Sequence, residues 1–244
     1  EYREIKNLSK NSKVFNFLCQ EVSPYDQINS DIGVLSSEYE IFESWANNEV
    51  SFTIITIKAF SQLYIEKALL EKHSFDIKKA QELSPQDLAM KLTKLGYSNE
   101  AMVEGRGQFS QRGDITDIYP IVGDPVRIEF FGDEIESMRT FNTSSQRSIK
   151  PLDICKIHPR YSIIRDEADG LKEKIDKLGL EDLHIEEGLY WEGVEYYREL
   201  LDQGSSDLFS YIPEHSQVIF DEWQDLHNFA NDWQDKQESL YKDG

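Results

Sequence analysis

The sequence predicts an α/β protein interrupted by a small antiparallel, β-rich α+β module. Three observations predict it. The run "FTIITI" at 52–57 is a continuous β-branched stretch that leads straight into a helical pattern, the order of a parallel-sheet domain. From Asn99 to about His158 the hydrophobic period becomes two, in short runs separated by Gly, Pro, Asp and Asn. After Pro159 the helical period returns.

Taken in order, residues 14–18 read as a short buried strand, followed by the polar loop "SPYDQINSD". Leu35, Tyr39, Phe42 and Ala46 fall at helical spacing, so one face of that helix is buried. The run at 52–57 reads as a strand covered on both faces, and residues 59–72 as the helix after it. Ser84-Pro85-Gln86-Asp87 opens another helix, with serine as N-cap and proline in the first turn. Leu88, Leu92 and Leu95 mark its apolar face, and Gly96 stands where a left-handed residue would end it. The β-type runs of the module are "AMVEG", "GQFSQRG", "DITDIY", "VRIEFF", "EIESMRTF" and "DICKIH", with "IVGDPV" as a hairpin loop. Beyond it, Ala168, Leu171, Ile175 and Leu178 form one helical stripe, ended by Gly179. Val194, Tyr197 and Leu201 form a second. "QVIF" at 217–220 reads as a buried strand ending in Asp221-Glu222, and Phe229, Trp233 and Leu240 fit one face of a final helix.

Charge separates these regions. Residues 1–74 carry net −4, residues 75–160 net −1 and residues 161–244 net −15, within a chain of net charge −20. An acidic segment repels a phosphate backbone, so direct DNA binding is not expected. No apolar run is long enough to span a membrane, and the first residues lack the apolar core of a signal peptide. Cys19 and Cys155 show neither metal-ligand nor disulfide-framework spacing, which predicts free thiols in a reducing cytoplasm. The histidines form no ligand pair; His184 and His215 read as surface residues.

Alternation along "VRIEFF" points Val126, Ile128 and Phe130 one way and Arg127, Glu129 and Phe131 the other. An outward phenylalanine beside arginine has the chemistry of an interface anchor. The competing reading packs Phe131 under a loop and pairs the arginines with Glu129, Asp114 or Asp117. Arg112-Gly113-Asp114 imitates an adhesion tripeptide, yet it leads directly into "ITDIYP". Gly113 there supplies a turn or bulge that a β-carbon would hinder. No GxxxxGK[ST] loop is present, so no phosphate cradle and no ATPase activity are expected of this chain. Asp221-Glu222 is similar to the Mg²⁺-organising acid of P-loop ATPases; without a phosphate loop it reads as a relic or a helix start.

"GQFSQRGDITDIYP" and "PVRIEFFGDEIESMRTFNTSSQRSI" resemble domain 2 of bacterial nucleotide-excision-repair proteins. Two relatives carry it, UvrB and the UvrB-like N-terminal module of transcription-repair coupling factor (Mfd). The second is more similar. "SPYDQINSDIGVLSSEYEIFESW" and "GLYWEGVEYYRELL…SDLFSYIPEHSQVIFDE" resemble its flanking segments, and the chain has no long Tyr-rich hairpin of the UvrB kind. The resemblance implies that residues 1–74 and 161–244 form much of a degenerate RecA-like, P-loop-type domain split in sequence, with an associated small subdomain. Residues 75–160 would be the UvrA-docking module. It implies a fragment of a longer ATP-driven DNA translocase, with RNA polymerase and DNA contacted through absent domains. No cofactor is implied. The docking residues carried over are Arg112, Arg127 and Phe131, supported by Gly113 and Glu129, while Asp221 and Glu222 would be a degenerate Walker B-like pair. Asp114 departs from the small residue common after "RG" in coupling factors. The alternatives are a UvrB-like damaged-DNA-binding or ATPase fragment, and an autoinhibitory domain of the parent translocase.

Overall fold

The computed structural model describes residues 2–9, 12–18, 31–162, 164 and 204–243. After a short N-terminal helix, α1 (Tyr2–Leu8), strand β1 (Lys13–Phe17) pairs in parallel with β2 (Ser51–Ile55). Helix α2 (Ile32–Ala46) connects them. Asp31 caps α2 by accepting from the Gly33 amide, and Leu35, Tyr39 and Phe42 are buried as the spacing predicts. At the end of that face it is Trp45 that is buried, while Ala46 is exposed.

Three expectations for the flanking regions are corrected. The run at 52–57 is not covered on both faces: among the described residues its sheet has two strands, and Phe52 is exposed. The single helix expected over 59–72 is broken into α3 (Ile57–Phe60), β3 (Tyr64–Ile65) and α4 (Lys67–His73). The break is a tertiary effect. Tyr64 turns into the core and donates its hydroxyl to the Ala59 carbonyl at 2.6 Å, and its strand pairs with β12 (Ser205–Ser206). Residues 217–220 form no strand; Val218, Ile219 and Phe220 are exposed. Phe220 instead meets Phe60 and Trp223 edge-on, at 5.9 and 5.4 Å between ring centres. The helical stripes at 168–178 and 194–201, Cys19 and His184 lie outside the described residues.

The β-rich module opens and closes on one antiparallel pair, β4 (Phe75–Lys78) with β11 (Ile154–Ile157). Between them lie helix α5 (Pro85–Lys94) and strands β5 (Ser98–Asn99), β6 (Gln108–Arg112), β7 (Ile115–Tyr119), β8 (Val126–Phe131), β9 (Glu134–Phe141) and β10 (Ser148–Pro151). Strands β10 to β5 make a six-stranded sheet in the order β10-β9-β8-β7-β6-β5, antiparallel except for β5 with β6. "AMVEG" is not a strand; it lies in the loop between β5 and β6.

One face of this sheet is apolar. Phe109, Ile118, Val126, Ile128, Phe130, Ile135 and Met138 join the hydrophobic core with Leu88 and Leu92 of α5. The helix starts as expected: the Ser84 hydroxyl accepts from the Asp87 amide at 3.0 Å, Pro85 follows, and Gly96 takes φ +86° beyond the end. Ser84→Ala is expected to lower stability by about 1 kcal/mol in chemical denaturation. The same core continues through Ile77 and Ile157 to Phe17, Phe42, Trp45, Tyr64 and Tyr211, where Phe42 and Tyr211 stack at 3.8 Å. The final helix, α6 (Trp223–Asp243), begins directly after Asp221-Glu222. The Glu222 carbonyl accepts from the Leu226 amide, and both acids are exposed at the helix entrance rather than at the end of a strand.

Candidate protein-docking site

The polar face of the six-stranded sheet is ordered by its register. Asp117 on β7 lies opposite Arg127 on β8, and Arg127 lies opposite Arg139 on β9. Two arginines facing each other across a ladder are destabilising unless each is neutralised. Here each is. Asp117 takes Arg127 bidentately, Oδ1 from Nε and Oδ2 from Nη2, both at 2.7 Å. Glu129 takes Arg139 through both oxygens and also accepts from the Ser137 hydroxyl at 2.7 Å. Arg127 further donates to the Gln146 backbone carbonyl (3.3 Å) and side-chain oxygen (3.2 Å), and lies over the Phe141 ring at 5.0 Å. The Asp117 hydrogen bond raises the Arg127 pKa. The Arg139 hydrogen bond, then the Ser137 hydroxyl, hold the Glu129 carboxyl below its ordinary value. Arg127 is thus partnered as the competing sequence reading had it, with a side chain only 19% exposed against 14% for Asp117.

The end of the same sheet is different. Two tight turns sit side by side there, Gly113-Asp114 between β6 and β7 and Gly132-Asp133 between β8 and β9. The Phe130 amide ties them together by donating to the Asp114 carbonyl at 2.9 Å. Gly113 takes φ +58° and Gly132 φ +63°, backbone that other residues resist. Between Glu129 and Phe130 the β8–β9 register slips, from Glu129↔Ser137 to Phe130↔Ile135, so Glu136 is an extra residue on β9. Because the bulge falls on β9, β8 keeps its alternation. Phe130 is buried and Phe131 is 80% exposed. Arg112, at the end of β6, is exposed; it donates Nη2 to the Ala101 carbonyl and has no ion pair among the described residues. Ile115, its direct partner across the turn, is 38% exposed. The structure therefore gathers Arg112, Gly113 and Phe131 at one lip. It sets Glu129 two and Arg127 four residues back from Phe131 along β8, inside a closed charge ladder, and leaves Asp221 and Glu222 on another element.

A second polar cluster lies where α2, α4 and the end of β11 meet. Buried His158 faces the Glu43 carboxylate through Nε2 at 3.0 Å and the Ser74 hydroxyl through Nδ1 at 2.8 Å. It borders a pocket of about 340 Å³, whose walls include Tyr39, Phe75 and Lys156. The residue types imitate a nucleophilic triad, but the Ser74 hydroxyl donates to the Leu70 carbonyl at 2.7 Å and closes the end of α4. With a backbone carbonyl and the imidazole both within reach of that hydroxyl, the contacts join three elements of the fold. Sequence reading missed it, since Glu43 and His158 lie 115 residues apart with no motif between them. Burial alone would raise the Glu43 carboxyl. The His158 hydrogen bond, with the His158 and Lys156 charges, outweighs burial and leaves its pKa below the ordinary value. A carboxyl lowered by folding stabilises the fold above its unfolded pKa, and that stability is lost as pH falls through the folded pKa. The stability gap between the wild type and Glu43→Gln should therefore shrink as pH is lowered from about 6 to 3 in urea titrations. Cys155, buried in the same region, has its thiol pushed up to about 12 and is unreactive.

Comparison with known proteins meets this geometry at residues 75–162, which match the UvrB interaction domain. The matched span runs from the first residue of β4 to just past β11, with the turn-borne lip inside it. The flanks agree with that placement. The chain is 28% identical over 236 residues to a transcription-repair-coupling factor of Bacillus subtilis, covering 85% of this chain and 20% of the relative. It is 28% identical over 185 residues to that of Myxococcus xanthus (72% and 15%) and 26% identical over 218 residues to that of Escherichia coli (84% and 19%). The chain thus spans at most about a fifth of the length of these relatives. What the matched span presents here is a surface of turns and strand ends. Among the described residues no group of His, Cys, Asp and Glu could hold a metal ion, and no helix is long and apolar enough to cross a membrane.

Proposed function

We propose that this chain is the UvrA-recruiting, UvrB-like module of a transcription-repair coupling factor and acts by protein–protein docking in transcription-coupled excision repair. The observation that carries the proposal is Phe131, 80% exposed at the same end of the sheet as Arg112, on two glycine turns joined by a backbone hydrogen bond within the span that matches the UvrB interaction domain. An aromatic and an arginine offered to solvent on well-ordered backbone are what dominate binding energy at protein interfaces. Arg112, Arg127 and Phe131 form the docking face, with Gly113 and Glu129 supporting it. Phe131 enters an apolar pocket on UvrA, and Arg112 meets an acidic group at its rim.

Residues 75–160 are the docking module on this reading. Residues 1–74 and 161–244 belong to a degenerate RecA-like region, of which β1, α2 and β2 supply the strand–helix–strand order. The longer parent is an ATP-driven DNA translocase that contacts RNA polymerase and DNA through other domains. Titration of the purified chain against purified UvrA, followed by light scattering or calorimetry, tests the proposal. Saturable binding without ATP hydrolysis by this chain is expected. Absence of binding at concentrations of tens of micromolar, roughly the range of weak transient interfaces, would overturn it.

A further inference from the structure

Resting on the docking reading above, we infer that Ile115 is a contact residue of the interface and that Asp117 is a positioning residue acting through Arg127. Three placements lead there. Ile115 is the apolar residue directly across the turn from Arg112, and it is also directly opposite Glu129 on β8. It carries exposed apolar surface at the same end of the sheet as Phe131. An apolar patch holding two side chains around one cation makes a continuous anchor, whereas a lone phenylalanine does not. The partner surface that fits it is an apolar cleft wide enough for an aromatic and a branched aliphatic side chain, with a carboxylate where Arg112 arrives.

Arg127 has a different part. Its guanidinium already makes four hydrogen bonds, two of them to Asp117, and one of its flat faces covers Phe141. A partner therefore meets it as a fixed, flat cationic floor behind the lip. The carboxylate of Asp117 sets the angle of that floor, and Asp117 itself is mostly covered.

The test compares Ile115→Asp, Asp117→Asn and the control Ile149→Asp for UvrA binding by surface plasmon resonance, with thermal denaturation run alongside. Ile149 is exposed on β10, the far edge strand of the sheet. Ile115→Asp should weaken binding about tenfold or more through faster dissociation, while the carboxylate placed opposite Glu129 lowers the melting temperature by only about a few degrees, far from unfolding the module. Asp117→Asn should weaken binding several-fold at low salt, with a smaller loss at high salt, because the floor loses its fixed orientation. A merely structural role would lower the melting temperature without changing that salt response. Ile149→Asp should bind as the wild type does. Wild-type binding by Ile115→Asp overturns the contact role, and an unchanged salt profile in Asp117→Asn overturns the positioning role. If Arg112→Glu with Phe131→Ala also binds normally, the docking reading itself fails, so the two failures are distinguishable.

Discussion

Arg112→Glu combined with Phe131→Ala is expected to abolish capture of UvrA while leaving the β-rich module folded. The two halves of that expectation have separate physical sources. Phe131 is 80% exposed, so its ring contributes little to the core that α5 and the sheet build without it. Arg112 is exposed and ends its strand, bonded only to a loop carbonyl among the described residues. Neither change opens a cavity or strands a buried charge, the usual routes to severe destabilisation. At an interface the same two side chains weigh heavily. Truncating an aromatic anchor costs about 2 kcal/mol or more, roughly thirtyfold in affinity, and reversing Arg112 adds repulsion against the acid it would meet. Pull-down and circular dichroism on the same preparation give both readings. Retained capture with an intact spectrum would contradict the assignment of the lip, and a collapsed spectrum would contradict the description of these residues as peripheral.

Arg127→Glu, by contrast, is expected to damage the fold before it reports on docking. The guanidinium is four-fifths covered and held by Asp117 at 2.7 Å, with Glu129 beside it on the same strand. Glutamate at this position would face Asp117 directly across the ladder and remove the cation that keeps Phe141 covered. Breaking such a pair leaves a carboxylate without its partner in a poorly hydrated setting, at a cost of roughly 2–4 kcal/mol. Urea denaturation should show a midpoint shift of that size with little change in slope. A variant as stable as the wild type would mean that Asp117 and Arg127 are solvated in solution, and the closed ladder would have to be abandoned. The register shows why stability comes first.

How much of this could be read from the sequence depends on how locally each feature is determined. The α5 start was legible because Ser84, Pro85 and Asp87 encode a cap within one turn. The inward and outward sets on β8 were legible because alternation is a property of the strand alone. On β9 it fails: Glu136 is an extra residue, so Ile135 and Met138 both point inward three positions apart. A bulge depends on the partner strand, and no single strand announces it. The two outcomes left open for the arginines depended on register, which placed Asp117 opposite Arg127 and gave Arg139, to which the sequence assigned no role, the carboxylate of Glu129. The helix expected over 59–72 failed for a related reason. Tyr64 and Ile65 pair with Ser205 and Ser206, about 140 residues away, and that pairing overrides local helical spacing. "QVIF" is apolar without being a strand, because its phenylalanine packs on other rings rather than in a sheet.

Amide hydrogen exchange of the chain with and without UvrA tests the central claim most directly. Slowed exchange is expected at the two turns and their strand ends alone, about residues 112–116 and 129–134, with β10 and α6 unchanged. Protection falling on β10 or α6 while both turns exchange as freely as before would contradict it.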